Sequence, residues 1–329
     1  MIDIVFHGRT AAAYLDDFRA ALRCEARIRA VPEAVREPDD IQALRQADVV
    51  VGNRLDASMP VPGRARLYQV CATGYDRIDL DLLPAGVTVC NCYGHEQAIA
   101  EYVMAAILAR RIPLADADAR LRQGQWPYRA GSPDGLHGEI GAATLGLLGY
   151  GHIGRAIAQR AQAFGMRVLA ANRSPVPLSD TVDAWYGLQD LDRFYADADF
   201  IVVSLPLLDG THGLVDAAAF ARMQPHAVLV NVGRGPVVDE QALYDALSRR
   251  RIGGAVIDTW YQYPAAAGQA AAPSRLPFAE LDNVLMTPHM SAWTDGTIRR
   301  RARAMAANVD ACFSGGRPAC VIRAPSGPA

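Results

Sequence analysis

Along most of the chain, short uninterrupted apolar runs alternate with longer amphipathic stretches. Runs bounded by turn residues fit strands buried on both faces, and the amphipathic stretches fit helices that cover them. The pattern therefore predicts βα units built on parallel sheets, an α/β fold. IDIVF, ARIRAV, DVVVG, RLYQVC and VTVCN read as a first set of strands. A helical stretch then runs from about Ile99 to Leu121, followed by GQWPYRAGSPDGLHG, which is rich in turn residues. A second series opens at ATLGLLG and continues through MRVLAA, DFIVVSLP, AVLVNVG and GAVID, with NVLMTP as a further short run. From Thr294 to Cys312 the pattern returns to helix, with RRRAR expected on a solvated face.

The second series has its own strands and helices and can fold as a unit. The first lacks a long closing helix, so the C-terminal helix is expected to pack back on it and make that domain discontinuous. The expected division is 1–104 with 288–329, and 105–287. The tail GPA and the run GQAAAPS read as flexible linker.

Composition narrows the function without naming it. A length of 329 residues suits two domains. With 51% hydrophobic and 21% charged residues the chain is ordinary for a globular protein, and a net charge of −2 makes no electrostatic case for nucleic acid or an acidic membrane surface. There is no lysine, which excludes lysine Schiff-base chemistry and the P-loop lysine. The six cysteines include no C-x-x-C pair and read as buried free thiols in a reducing cytoplasm, with no metal site. MIDIVFHG reads as a first strand rather than a signal peptide. No apolar stretch reaches the roughly 18 residues of a membrane span.

One motif carries specific chemistry. Gly149, Gly151 and Gly154 form G-Y-G-H-I-G directly after the strand TLGLL and before the helical RAIAQRAQAFG. Glycines there allow a tight turn that brings backbone N–H groups and a helix N-terminus against a pyrophosphate. About 20 residues on, a site for NAD usually carries an acid for the ribose 2′-hydroxyl. This chain has Asn172, followed by Arg173 and Ser174. Arg173 can pair with a 2′-phosphate that a carboxylate would repel, which favours NADP(H) over NAD(H). The alternative is that Arg173 is a surface residue and Asn172 alone holds the ribose.

Taken together, ATGYDRIDL (72–80), AIAEYVMAAILA (98–109), GLLGYGHIGRAIA (146–158), SLPLLDGTHGLV (204–215), NVGRGPVVDEQAL (231–243), GAVIDTW (254–260) and NVLMTPH (283–289) make the chain resemble the D-isomer-specific 2-hydroxyacid dehydrogenases, a family that includes formate and phosphite dehydrogenases. The resemblance covers nearly the whole chain. It implies a flavodoxin-like substrate domain and a Rossmann dinucleotide-binding domain, with the active site in the cleft between them, in a homodimer joined through the cofactor domain. It implies that Arg234 grips the carboxylate and carbonyl of a 2-keto acid, that His289 moves the hydroxyl proton, and that Asp258 lies beside the nicotinamide carboxamide. Thr73, Gly74 and Tyr75 would form the substrate loop. His152, Ile153, Leu205, Pro206, Thr211, Val232, Gly233, His289 and Ser291 would join the glycines in lining the cofactor. The chemistry agrees: keto-acid reduction needs a hydride donor, a proton donor at the carbonyl oxygen and a cation for the developing oxyanion.

The chain departs from the family pattern in three places. Five residues after Asp258 the family usually has a glutamate that stabilises imidazolium; here Tyr263 stands there, with Gln262 before it. Gln262 or the Tyr263 hydroxyl is expected to bond His289, whose pKa should stay near the ordinary 6.5 or so. His95, with Glu96, stands where the family often has asparagine or a small polar residue; it is either part of a substitute acid/base pair facing the substrate or simply a helix-start residue. Tyr75, Trp260, Tyr261 and Trp293 suggest an aromatic-walled pocket for an apolar side chain, or else packing. The leading expectation is an oxidoreductase moving a hydride between nicotinamide and C2 of a 2-hydroxy or 2-keto acid. The alternatives are a formate-like, hydride-only dehydrogenase and a cofactor-sensing binding protein of the corepressor type.

Overall fold

In the computed structural model residues 1–264 and 268–326 are described, so the expected GPA linker lies outside the described residues. The strands are β1 (Ile2–His7), β2 (Ala26–Val31), β3 (Val49–Gly52), β4 (Leu67–Val70), β5 (Thr88–Cys90), β6 (Thr144–Leu148), β7 (Arg167–Ala171), β8 (Ala184–Tyr186), β9 (Phe200–Val203), β10 (Val228–Asn231), β11 (Gly254–Ile257), β12 (Val284–Met286) and β13 (Val321–Arg323). The helices are α1 (Gly8–Ala12), α2 (Leu15–Ala21), α3 (Pro38–Gln46), α4 (Glu96–Arg111), α5 (Leu114–Leu121), α6 (His152–Ala163), α7 (Leu191–Asp197), α8 (Ala217–Arg222), α9 (Glu240–Ser248) and α10 (Asp295–Phe313). None of the described helices is long and apolar enough to cross a membrane.

The chain forms two compact units, Met1–His95 with the stretch from Trp293 onward, and Glu96–Ala292. The switches follow residues 95 and 292, against the expected 104 and 287. The first shift arises because α4 packs on α6 and buries Val103, Met104 and Ile107 in the core of the second unit.

In the first unit the sheet order is β13-β5-β4-β3-β1-β2, parallel except for β13, which runs antiparallel to β5 at the edge. Leaving β13 aside, this is the flavodoxin-like arrangement. Helix α10 lays Ala302, Met305, Ala306 and Val309 on one face of this sheet, in a core shared with Phe6, Tyr14 and Phe18. In the second unit seven parallel strands take the order β12-β11-β10-β9-β6-β7-β8. The connection order reverses beside β6, the crevice at which doubly wound sheets receive ligands.

Several local expectations change. The helical stretch 99–121 is two helices: Pro113 has no N–H to donate, so α4 stops at Arg111 and α5 restarts with Pro113 as its N-cap. GQAAAPS is anchored at its end, where the Pro273 carbonyl accepts from Gln262 N (2.9 Å) and Ser274 Oγ donates to Glu240 (2.7 Å). Within RRRAR, Arg301 is only 7% exposed, because α10 turns that position toward the sheet. Cys71, Cys90 and Cys92 are buried free thiols, but Cys320 is exposed. Strands β8 and β13 carry no run long enough to have stood out.

Candidate active site

Because the seven strands are parallel, the segments that leave their C-terminal ends collect along one edge of the second unit. That edge receives Gly149–Gly154 from β6, Asn172–Ser174 from β7, Leu205–Thr211 from β9, Val232–Arg234 from β10, Asp258 from β11 and Thr287–Ser291 from β12. Nearly every second-unit residue singled out from the sequence therefore lies on one side of one sheet.

The glycine turn fits a dinucleotide. Gly149 has φ +101°, in the left-handed region that glycine enters at no steric cost. A Cβ on Gly154 would stand 2.5 Å from the Gly149 carbonyl oxygen, so only glycine lets α6 approach the strand so closely. At Gly151, the N-cap of α6, a Cβ would meet nothing within 4 Å. Open space before a 12-residue helix whose dipole favours anions is what a pyrophosphate needs. His152 is exposed and Ile153 half-buried at the same turn.

Beyond β7, Asn172 spends its side chain on its own loop: Oδ1 accepts from Tyr150 N at 3.4 Å, and Nδ2 donates to the Ser174 carbonyl at 2.9 Å. Arg173 is exposed on that loop. After β9, the Thr211 hydroxyl donates to the Pro206 carbonyl (2.7 Å) and accepts from Leu208 N (2.8 Å), so it closes its own turn.

Arg234 is held by its own strand end. Buried Asn231 accepts from Gly233 N (3.1 Å) and donates to the Arg234 carbonyl (3.2 Å), while Arg234 Nη1 donates to the Gly233 carbonyl (2.9 Å). The signal for Asn231 was available as a polar residue closing an apolar strand. A Cβ on Gly235 would stand 2.4 Å from the Trp260 carbonyl oxygen, so the chain passes this point only as glycine.

Asp258 is fully buried and accepts three hydrogen bonds, from Thr287 Oγ1 (2.6 Å), Met290 N (2.8 Å) and Ser291 N (3.0 Å). The Thr287 proton is committed to Asp258, so Tyr102 donates to Thr287 Oγ1 at 2.7 Å. Burial pushes the Tyr102 hydroxyl up to about 12, which keeps it a donor. This knot straddles His289, whose φ of +58° is uncommon for a residue with a side chain. Asp258 thus holds the strained loop that presents the imidazole.

Of the two partners expected for His289, the structure selects Tyr263, whose Oη lies 2.9 Å from Nδ1. The same Oη accepts from Trp260 N at 3.1 Å. With that lone pair occupied, the Tyr263 proton is available to Nδ1. In the neutral imidazole this arrangement places the ring hydrogen on Nε2. The expectation of an ordinary pKa is corrected: burial, and then the Arg234 charge, push His289 down, with only Asp258 opposing. Arg234 also acts to lower the Tyr263 hydroxyl, against the larger upward effect of burial. Guanidinium, phenol and imidazole are therefore within electrostatic reach of one another.

Of the four aromatics expected either to wall a pocket or to pack, two pack within the second unit. Trp260 is 5% exposed, edge-on to Phe278 at 6.0 Å, with its Nε1 donating to the Thr287 carbonyl (2.8 Å). Tyr261 donates to the Val238 carbonyl (3.0 Å). Both build the interior of the second unit. Tyr75 and Trp293 are exposed on the first unit, and Trp293 meets Tyr14 edge-on at 6.1 Å.

In the first unit, Thr73 follows β4 and its hydroxyl donates to the Cys92 carbonyl (2.9 Å). Both ring nitrogens of buried His95 lie 3.4 Å from that hydroxyl. Gly74 and Tyr75 continue the loop. Among the described residues no group of His, Cys, Asp or Glu side chains is placed to hold a metal.

Residues 103–291 match the family model described as D-isomer specific 2-hydroxyacid dehydrogenase, NAD binding domain. The chain belongs to the D-isomer-specific 2-hydroxyacid dehydrogenase family. It is an oxidoreductase of that family, acting on CH–OH with a nicotinamide cofactor. Two dehydrogenase relatives are a glyoxylate/hydroxypyruvate reductase B of Enterobacter agglomerans, 31% identical over 91% of this chain and 92% of its own, and one of Klebsiella pneumoniae, 34% identical over 81% of each. A crystal structure of a D-isomer specific 2-hydroxyacid dehydrogenase family protein from Aeromonas salmonicida matches with a TM-score of 0.80 at 26% identity, covering 98% of both chains. The dehydrogenase fold thus extends over both units.

Proposed function

We propose that the protein is a 2-keto acid reductase that prefers NADP(H). The observation that carries the reading is the set Arg234, Tyr263 and His289, in mutual electrostatic reach on the sheet edge that also bears the glycine turn. Bound nicotinamide supplies or accepts a hydride. Arg234, whose planar guanidinium can bond in a bidentate manner, binds the substrate carboxylate and carbonyl and stabilises negative charge growing on the oxygen. Protonated His289 gives its Nε2 proton to that oxygen and is left neutral with its remaining proton on Nδ1, which donates to the Tyr263 hydroxyl and so keeps the ring oriented. Asp258, Thr287 and Tyr102 hold the loop in place.

The cofactor preference rests on the β7 end. No carboxylate stands there, Asn172 is committed to its loop, and Arg173 is exposed for a 2′-phosphate. The glyoxylate/hydroxypyruvate reductases among the relatives support a small keto acid. A second reading, hydride transfer without a proton step as in formate oxidation, is favoured by one observation: the side chain bonded to His289 is a phenol rather than a carboxylate.

Steady-state assays with glyoxylate, hydroxypyruvate, phenylpyruvate and formate, each with NADPH and NADH, test both readings. Reduction of a keto acid, faster with NADPH, is expected. Turnover of formate alone selects the second reading. Arg234→Ala should lower kcat by about 10²–10³-fold, the loss typical of removing one oxyanion-stabilising group. A variant retaining wild-type kcat overturns the assignment.

A further inference from the structure

Trp260 stands two residues after Asp258, beyond the end of β11, and is 5% exposed. Each of its polar groups meets a different segment of the candidate active site, and all of these segments belong to the second unit. The backbone N–H donates to Tyr263 Oη at 3.1 Å. The indole Nε1–H donates to the Thr287 carbonyl at 2.8 Å. The carbonyl oxygen of Trp260 lies against Gly235, the neighbour of Arg234, where a Cβ would stand 2.4 Å away.

The indole bond has the most leverage. The Thr287 carbonyl also accepts from His289 N at 3.0 Å, which closes a three-residue turn around Pro288. The Pro288 ring fixes its own φ, and His289 leaves the turn at φ +58°. A carbonyl oxygen has two lone pairs: one is spent inside this turn, and Trp260 takes the other. Asp258 holds the Thr287 hydroxyl and the N–H groups after His289, whereas Trp260 holds the peptide just before Pro288. The indole is itself fixed, edge-on to buried Phe278 at 6.0 Å, and Phe278 meets Tyr244 of α9 edge-on at 5.4 Å. Such a stack sets the tilt of a ring as well as its place.

We propose that Trp260 is a positioning residue that sets the direction of the His289 ring and keeps Tyr263 and the Arg234 segment aligned with it. The proposal rests on the reading of His289 as the acid/base group. Being buried, Trp260 acts through these neighbours rather than on the reactants.

Trp260→Phe keeps a ring and the backbone N–H but loses the indole donor. It should lower kcat about 10- to 100-fold, between the loss of one neutral hydrogen bond and the cost of misplacing a reacting group by about 1 Å, while Kd for NADPH or NADH stays within about threefold. Nitrogen NMR of the cofactor-free protein, at a pH where the His289 ring is neutral, should find the hydrogen on Nε2 in the wild type and a mixture of both tautomers in the variant. A benzothienyl analogue of tryptophan at position 260 puts sulfur in place of the N–H within a bicyclic ring of nearly equal shape. It should reproduce both changes, and it preserves the test if the phenylalanine variant does not fold. Wild-type kcat and tautomer in the benzothienyl protein overturn the proposal. So does a parallel loss of kcat and cofactor binding with the tautomer unchanged, which would make Trp260 a general support of the fold. Wild-type turnover in His289→Asn would instead sink the acid/base reading, and the ring tautomer would still report on Trp260.

Discussion

Replacing Tyr263 with glutamate tests how the acid/base group is tuned. In the native site a hydroxyl meets Nδ1 of His289 at 2.9 Å, and burial with the Arg234 charge pushes the imidazole below its ordinary range. Keto-acid reduction draws on the protonated ring, so activity is present below the pKa and is lost as pH rises through it. A group titrating near 6.5 is about 3% protonated at pH 8, and one pushed lower is less so. Glutamate is shorter than tyrosine, yet its carboxylate would lie within the roughly 4–6 Å over which an opposite charge raises a histidine by 1–3 units. A rise of one unit, about 1.4 kcal/mol, multiplies the protonated fraction at pH 8 about eightfold. The assay is kcat/KM for keto-acid reduction across pH 5–9, with the His289 ring titrated by NMR in parallel. Tyr263→Glu should move the descending limb up by one unit or more. Profiles of variant and wild type that coincide, with unchanged ring titration, would refute the reasoning.

Two further outcomes follow from the geometry. Asp258→Asn turns an amide N–H₂ toward a donor now served by carboxylate oxygen, so the loop 287–291 should lose about 1–3 kcal/mol, read as a lower urea midpoint; an unchanged midpoint would show that the knot is not what restrains His289. Gly151→Ala adds a methyl where nothing stands within 4 Å, so unfolding stability should stay within about 0.5 kcal/mol of wild type while KM for the cofactor rises at least about tenfold; an unchanged KM would remove the phosphate from this turn.

The architecture was legible wherever an uninterrupted apolar run marked a buried strand. VVVG, TLGLL, FIVV and VLVN are all strands buried along most of their length, because parallel strands covered on both faces must be apolar throughout. The three-residue strands β8 and β13 were not legible, since each owes its existence to a neighbour that offers ladder hydrogen bonds rather than to its own pattern. Of the site, the glycine turn could be read from spacing, and the family resemblance narrowed the partner of His289 to Gln262 or Tyr263, between which only the structure selects. The reach of Asp258 could not be read, because three of its donors lie about 30 residues downstream and two of them are backbone N–H groups, which carry no residue-specific signal. The burial of Arg301 is hidden for a related reason: within RRRAR, composition says solvent, and only the rotation of α10 decides which arginine faces the sheet.

The closing helix also has a consequence for biosynthesis. A ribosome delivers the strands β1–β5 long before α10, whose Met305 and Val309 fill the same core as Phe6 and Phe18. The second unit, contiguous from Glu96 to Ala292, is complete in the nascent chain while the first still shows an uncovered apolar sheet face. Vectorial synthesis therefore finishes the dinucleotide half first and leaves the earliest residues as the part most dependent on chaperone shelter and most prone to aggregate when translation is truncated.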